Sequence, residues 1–341
     1  MLFPELPEVK EMVLNTGMRT DIPAYFPEWF MNRVREGFVL TRNPYNPLQV
    51  TRYRLDPEVV DILAFGTKNP APLIPHLEEL SKFRMYWLVT VNPYGKELEP
   101  DVPAWREVAD SIKKMSEIIG SKAVAWRYAP VIVNDDYPVE WHIECFREMA
   151  SVLSGYVENC MIAFLDLYDK TRRNFPAGRL ITRAEQEQIG RNFVKIAAEN
   201  GIHLIACYEN QALKEYGVDV SGCMTHHALE HIGDFRLTIP KSEMSVQKRV
   251  GESASITEAE ILEHRKYGGC ILGRDIGEYN SCLHGCKYCY ANYDRQLVIR
   301  NYRRHDPKSP YLIGGPMEGE IIHDAKQVSW IDPQITLFDF I

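Results

Sequence analysis

Six short apolar runs, each followed by a longer amphipathic stretch, limit what this chain can fold into. The runs are Met12–Leu14, Val59–Phe65, Met85–Val91, Ala123–Tyr128, Cys160–Leu167 and Ile202–Tyr208. Each is nearly continuous and aliphatic or β-branched, the pattern of a strand buried on both faces of a parallel sheet. The stretches between them read as helices with defined ends. Asp101 is placed to cap a helix whose Trp105, Val108, Ile112, Met115 and Ile119 recur at helical spacing, with Gly120 as its stop. Pro138 opens a second helix, with Ile143, Phe146, Ala150 and Leu153 inward and Gly155 closing it. Thr182 and Glu185 have capping-box spacing, for a helix running to Asn200–Gly201. Strand–helix alternation of this kind predicts a parallel α/β fold.

The residues just after each run choose between parallel folds. All six ends are polar or charged: Thr16–Asp21, Thr67–Pro70, Thr90–Pro93, Arg127–Pro130, Asp166–Asp169 and Cys207–Asn210. In a barrel every strand end converges on one mouth, where chemistry sits. In a doubly wound sheet only the ends near the switch point need such residues. The expected class is therefore an α/β, TIM-barrel-like (β/α) barrel, partial or complete. Residues 1–268 are assigned to the barrel, and residues 269–341 to a cysteine-bearing segment packed on its mouth. The mouth would hold Arg19, Asp21, Lys68, Asn69, Asn92, Arg127, Asp166, Tyr168 and Glu209. Helix caps, turns and salt bridges across the barrel account for the same residue types one at a time.

Charge and cysteine usage narrow the function. Thirty-nine Lys and Arg against 47 Asp and Glu leave a net charge of −8, which argues against a broadly basic, non-specific nucleic-acid binder. No apolar run approaches the roughly 20 residues that span a bilayer. Pro4, Glu5, Pro7 and Glu8 do not suit a signal peptide, so a cytoplasmic location without membrane contact is expected. Eight cysteines in such a chain indicate a metal site sooner than a disulfide framework. Three of them, Cys282, Cys286 and Cys289, have the spacing Cys-x3-Cys-x2-Cys. Three thiolates on one tight loop can bind three irons of a cubane cluster and leave the fourth iron open. Gly285 lets the backbone turn tightly there. Cys270 with these three could instead make a four-cysteine zinc site, although zinc knuckles usually pair Cys-x2-Cys units.

The motif resembles that of the radical SAM superfamily, whose cluster cysteines share this spacing and an aromatic before the last, here Tyr288. The longer string His284-Gly-Cys-Lys-Tyr-Cys-Tyr-Ala291 is similar to the spore photoproduct lyase branch. With Arg19-Thr-Asp-Ile-Pro23 near its start, the chain resembles an uncharacterised bacterial family over nearly its full length. The resemblance implies a [4Fe–4S] cluster, one or two per chain, and S-adenosylmethionine (SAM) as cofactor. It also implies an electron donor such as ferredoxin or flavodoxin, and a small-molecule, nucleotide or nucleic-acid substrate. One departure is that the cysteine loop lies near the C-terminus rather than after the first strand. The barrel order would then be permuted, with Asp275–Tyr279 leading into the loop. A second is that Gly314-Gly315-Pro316 and Gly319-Glu320 are imperfect versions of a Gly-Gly-Glu motif. For SAM, Arg19, Lys68 or Arg127 suits the carboxylate and Asp166 or Glu209 the amine or ribose, with Asp21 and Asn92 as further cofactor-binding candidates.

Other residues have lesser claims. Cys207, Cys223 and Cys270 could ligate a second cluster, or one of Cys207 and Cys223 could act catalytically as a hydrogen-atom donor; small buried thiols are the plain alternative. Cys145 and Cys160 are expected in the core. His227 and His231 stand one helical turn apart beside His226, more consistent with a solvated helix face than a metal site. Lys170, Arg172, Arg173, Arg179 and Arg183 form a basic stretch on the mouth side that suits an anionic substrate or a solvated face. Three function classes remain at this stage. They are a radical SAM-type enzyme, an iron–sulfur enzyme without SAM, and a zinc-stapled binding protein or hydrolase.

Overall fold

The computed structural model describes residues 13–207, 211–237, 271 and 273–332. In chain order the strands are β1 (Val13–Asn15), β2 (Phe38–Asn43), β3 (Asn46–Arg54), β4 (Ile62–Thr67), β5 (Met85–Thr90), β6 (Val124–Val131), β7 (Asn159–Phe164), β8 (His203–Ala206), β9 (Arg274–Asp275) and β10 (Ile321–Asp324). The helices are α1 (Ile22–Tyr25), α2 (Pro27–Glu36), α3 (Leu77–Leu80), α4 (Trp105–Ile119), α5 (Val139–Leu153), α6 (Asp169–Asn174), α7 (Arg183–Glu199), α8 (His226–Glu230) and α9 (Arg295–Tyr302).

Seven strands form one parallel sheet in the order β8-β7-β6-β5-β4-β1-β9. All six apolar runs supply strands to it, each within a few residues of its expected bounds. Register pairs Leu14 with Leu63, Phe65 with Trp87, Leu88 with Ala125, Tyr128 with Ile162 and Cys160 with Leu204. From β1 through β4 to β8 each strand in turn is added on the same side, and β9 lies on the other side of β1. Among the described residues no ladder joins β8 to β9, and the sheet is open there.

Alternation along the strands sends side chains to two different cores. Leu63, Phe65, Trp87, Val89, Trp126, Tyr128, Ile162 and Phe164 face α2, α4, α5 and α7. Aromatic rings stack through this layer: Phe65 on Trp87 at 3.9 Å, and Phe146 on Phe193 at 3.8 Å. The opposite parity, Val13, Ile62, Ala64, Tyr86, Ala125, Met161 and Ile205, packs on Met224, Leu229, Phe235, Leu237, Ile271 and Trp330. The four long helices thus lie on one face, and returning chain fills the other.

The expected helix ends hold with one correction. The capping box of Thr182 and Glu185 is complete, and Pro138 is the N-cap of α5. Asp101 does not cap α4, whose N-cap is Ala104 without a side-chain bond. Asp101 instead pairs with Arg295 at 2.7 Å. A second, three-stranded sheet, β10-β3-β2, was not expected from the strand–helix pattern. Its antiparallel hairpin turns at Asn43-Pro-Tyr-Asn46. Within the cysteine-bearing segment, β9 pairs with β1 in the main sheet.

Candidate functional site

The strands are parallel, so all their carboxyl ends meet at one edge of the sheet. Chain from Ile276 onward crosses that edge, with the Ile276 amide donating to Asn15 O at 2.9 Å. The cysteine loop that follows is fastened by three groups at strand ends.

The first is Asp21, which follows β1. One carboxylate oxygen accepts from the Ala24 amide at 3.1 Å and the Thr67 hydroxyl at 2.7 Å. The other accepts from the Lys68 amide at 2.8 Å and His284 Nε2 at 2.7 Å. His284 is buried, and its Nδ1 lies 2.9 Å from the Tyr25 hydroxyl. Burial, with the nearby Cys282 and Asp21 charges, pushes the Tyr25 phenol up, so it stays protonated.

The second is Glu99, after β5 and almost fully buried. It accepts from Lys68 Nζ at 2.7 Å, Asn92 Nδ2 at 3.0 Å and the Tyr288 hydroxyl. Burial alone would raise its carboxyl; the Lys68 charge and these hydrogen bonds bring it below the usual range instead. Asn92 also clamps the end of β6, donating to Ala129 O at 2.9 Å and accepting from its amide at 3.0 Å. The Lys287 amide bonds Leu98 O at 3.0 Å, and the Asp101 amide bonds His284 O at 3.1 Å.

The third is α6, after β7. Lys170 Nζ donates to Tyr290 O, and Thr171 Oγ1 donates to Tyr288 O at 3.3 Å. Within the loop, Gly285 has φ +70°, and a Cβ there would stand 2.6 Å from the Arg295 guanidinium. That guanidinium donates to Leu283 O at 2.7 Å.

The sulfurs form one electrostatic group. Burial pushes the Cys282 thiol up, and charge on Asp21, Cys289 and Cys286 adds to the effect. Burial also raises Cys286, opposed by Lys68. The Ala291 amide donates to Cys289 Sγ at 3.3 Å, a bond that favours a thiolate ligand. Thiols pushed up by their surroundings, as Cys282 and Cys286 are, give up their protons when a cationic guest binds the sulfur. Three cysteine thiols on one loop, Cys282, Cys286 and Cys289, are the donor chemistry that an iron–sulfur cluster takes. Among the described residues no three His, Cys, Asp or Glu side chains converge on a point that could hold a single metal ion.

The expected mouth residues divide. Asp21, Lys68 and Asn92 gather directly beneath the cysteine loop. Arg19 pairs with the partly buried Asp275 at 3.0 Å. Arg127 lies near enough to Tyr290 to lower its hydroxyl pKa against the dominant effect of burial. Asp166 stands half-buried past the end of β7. Cys207 and Cys223 come together, sulfur to sulfur at 3.1 Å. Glu209 and Cys270 lie outside the described residues. His227 is exposed, and His231 pairs with Glu158 at 2.7 Å. Glu99, Tyr25 and Asp275 were not singled out from the sequence. Glu99 follows β5 by nine residues, beyond the strand-end windows, so only the fold reveals it.

A seven-stranded, singly wound α/β protein with a cysteine loop over its strand ends is the class these features define. The chain belongs to the family described as "Domain of unknown function (DUF1848)", whose model matches residues 13–291. No curated protein matches the sequence. Among solved structures it is similar to D-psicose 3-epimerase, with D-tagatose, from Clostridium cellulolyticum H10. Identity is 13%, coverage is 85% of this chain and 94% of that one, and the TM-score is 0.35. It is also similar to a protein assigned as an alpha-L-fucosidase from Bacteroides thetaiotaomicron VPI-5482, at 12% identity, 78% and 98% coverage and a TM-score of 0.26. At those scores neither likeness carries an argument.

Proposed function

We propose that this chain is a radical SAM-type iron–sulfur enzyme built on a partial (β/α) barrel, with one [4Fe–4S] cluster held by Cys282, Cys286 and Cys289. The observation that carries the reading is the seating of these three cysteines over the strand ends, in one coupled electrostatic group. The similarity of their motif to the radical SAM and spore photoproduct lyase pattern supports the SAM assignment. When bound, such a cluster supplies the electron for reductive cleavage of SAM, and the protein supplies position and water exclusion.

The chain's own residues do the holding. Asp21 orients His284 and thereby the start of the loop. Glu99 and Lys68 fix Tyr288 and place an ammonium beside Cys286. Lys170 holds the loop's far end and stands 4.3 Å from the Tyr293 ring. Tyr279 and Tyr293 are exposed around it. This cationic, aromatic rim suits a nucleotide-like substrate. Ferredoxin or flavodoxin would serve as electron donor.

Anaerobic reconstitution with iron and sulfide tests the reading. The expected result is about four irons and four sulfides per chain, a brown chromophore, and 5′-deoxyadenosine from SAM under strong reductant. Colourless protein, or tightly bound zinc after aerobic purification, would overturn the cluster. A cluster that never cleaves SAM would overturn the SAM step alone.

A further inference from the structure

Two cysteines outside the loop have a geometry of their own. Cys207 follows the carboxyl end of β8, so it stands at the same edge of the sheet as the cysteine loop. Its amide bonds Ile162 O at 3.2 Å, which fixes it against β7. Cys223 comes from a segment that returns along β8. There the Ala206 amide bonds Asp219 O at 2.7 Å, and the Asp219 amide bonds Leu204 O at 3.0 Å. Asp219 also accepts from the Ser221 amide at 2.8 Å. Beyond it, Cys223 O accepts from the buried Tyr86 hydroxyl at 3.4 Å, and Met224 O accepts from the Ile271 amide at 2.7 Å. Backbone on both sides thus holds the two sulfurs 3.1 Å apart.

That distance discriminates between chemistries. Two thiolates on one tetrahedral zinc stand about 3.8 Å apart, given Zn–S bonds of about 2.3 Å. Cysteines on separate irons of a cubane stand farther apart still. A covalent S–S bond is about 2.05 Å, so the observed pair is about 1 Å from closure. Both cysteines are only partly buried.

We propose that Cys207 and Cys223 are a reversible dithiol–disulfide couple. In the oxidising direction the two thiols lose two protons and two electrons, and one Sγ–Sγ bond forms. A small-molecule disulfide of the glutathione class accepts the electrons; its S–S bond breaks and it leaves as two thiols. Closure staples the segment of Asp219 to Cys223 onto β8 and fixes the chain that covers the inner face of the sheet. The couple is independent of the cluster reading.

The test uses the full chain, equilibrated anaerobically with oxidised and reduced glutathione at a series of ratios. Samples are acid-quenched, alkylated and weighed intact, then digested for peptide mapping. The expected result is that two of the eight cysteines become protected as the ratio rises. The chain before alkylation loses about 2 Da, the two hydrogens, and the map shows a Cys207–Cys223 link that dithiothreitol reverses. C207S and C223S abolish the protection, and C145S does not. If either serine variant fails to fold, the wild-type peptide map decides. Absence of the link at every ratio overturns the proposal. So does a link to Cys270, or a metal that shields the pair without the mass loss. Repeating the series on Cys282→Ala separates this couple from the loop, because the link must form there too.

Discussion

At the scale of single residues, the charged groups beneath the cysteine loop act on one another more than on solvent. Lys68 and Glu99 are both largely buried, with side chains 15% and 4% exposed. Removing one charge leaves the other buried and unmatched. Glu99→Gln should therefore cost about 3 kcal/mol, read from urea unfolding at pH 7. Lys68→Met in the same background should recover most of it, because the pair then leaves together. The pH dependence follows from a folded-state carboxyl below its unfolded value. Such a group adds stability above the unfolded pKa of about 4.3, and that stability is lost as pH falls through the folded pKa. The gap between wild type and Glu99→Gln should accordingly narrow on acidification below about pH 4. Gly285 makes a different kind of contribution. A side chain there pays the left-handed penalty of about 1–2 kcal/mol and pushes on Arg295. Gly285→Ala should lower iron uptake on reconstitution while circular dichroism stays unchanged. Retention of full iron content would show that the turn does not shape the loop.

Elements were legible where their signal is local. The six apolar runs became strands because a buried parallel strand needs nothing but continuous apolar residues, and Thr182–Glu185 became a capping box because both partners lie within one turn. Asp101 misled because its partners, Arg295 and His284 O, lie far along the chain and outcompeted a local cap. The hairpin of β2 and β3 was missed because Arg42, Arg52 and Thr41 interrupt its apolar alternation. Packing of α5 on β6 depends on one buried polar contact of the same hidden kind. His142 is fully buried, with Nδ1 2.7 Å from the Tyr128 hydroxyl and Nε2 2.7 Å from Ile132 O. Burial drives its pKa down to about 4, so it stays neutral in the folded protein. The unfolded chain binds a proton near pH 6.5 that the fold refuses, so stability is full above pH 6.5 and falls as pH drops toward 4. The shift corresponds to about 3 kcal/mol over that window. His142→Gln should remove this component, which acid titration of unfolding free energy in the two proteins measures as their difference.

The whole molecule is held by a C-terminal segment that visits both ends of the sheet. Its cysteine spacing was readable in the sequence. Its structural share was not, because β9 is only two residues long and the remaining contacts are backbone bonds to distant elements. After the loop and α9, the Ser309 and Tyr311 carbonyls accept from Trp29 Nε1 at 2.9 and 3.1 Å, which docks the segment on α2. β10 then extends the second sheet beside β3. Finally Ser329 Oγ and the Trp330 amide donate to Asp61 at 2.6 and 2.7 Å, just before β4 and at the opposite end from the cysteines. Asp61 is fully buried. Burial raises its carboxyl, and these two bonds oppose the rise. Ending the chain at Val328 leaves the Gln327 bonds to Arg54 in place and removes both Asp61 bonds together with the Trp330 and Ile331 side chains. The expected cost is about 4 kcal/mol, from one buried aromatic and two hydrogen bonds to a buried carboxylate. Without those donors Asp61 is easier to protonate, so the folded pKa moves further above the unfolded one. A raised carboxyl destabilises the fold above its unfolded pKa, and the loss is recovered as pH falls. The shortened chain should therefore gain on the full chain between pH 7 and pH 4, and Asp61→Asn should restore part of its stability at pH 7. A constant gap across that range, unaffected by Asp61→Asn, would assign the whole effect to contacts other than the Asp61 bonds.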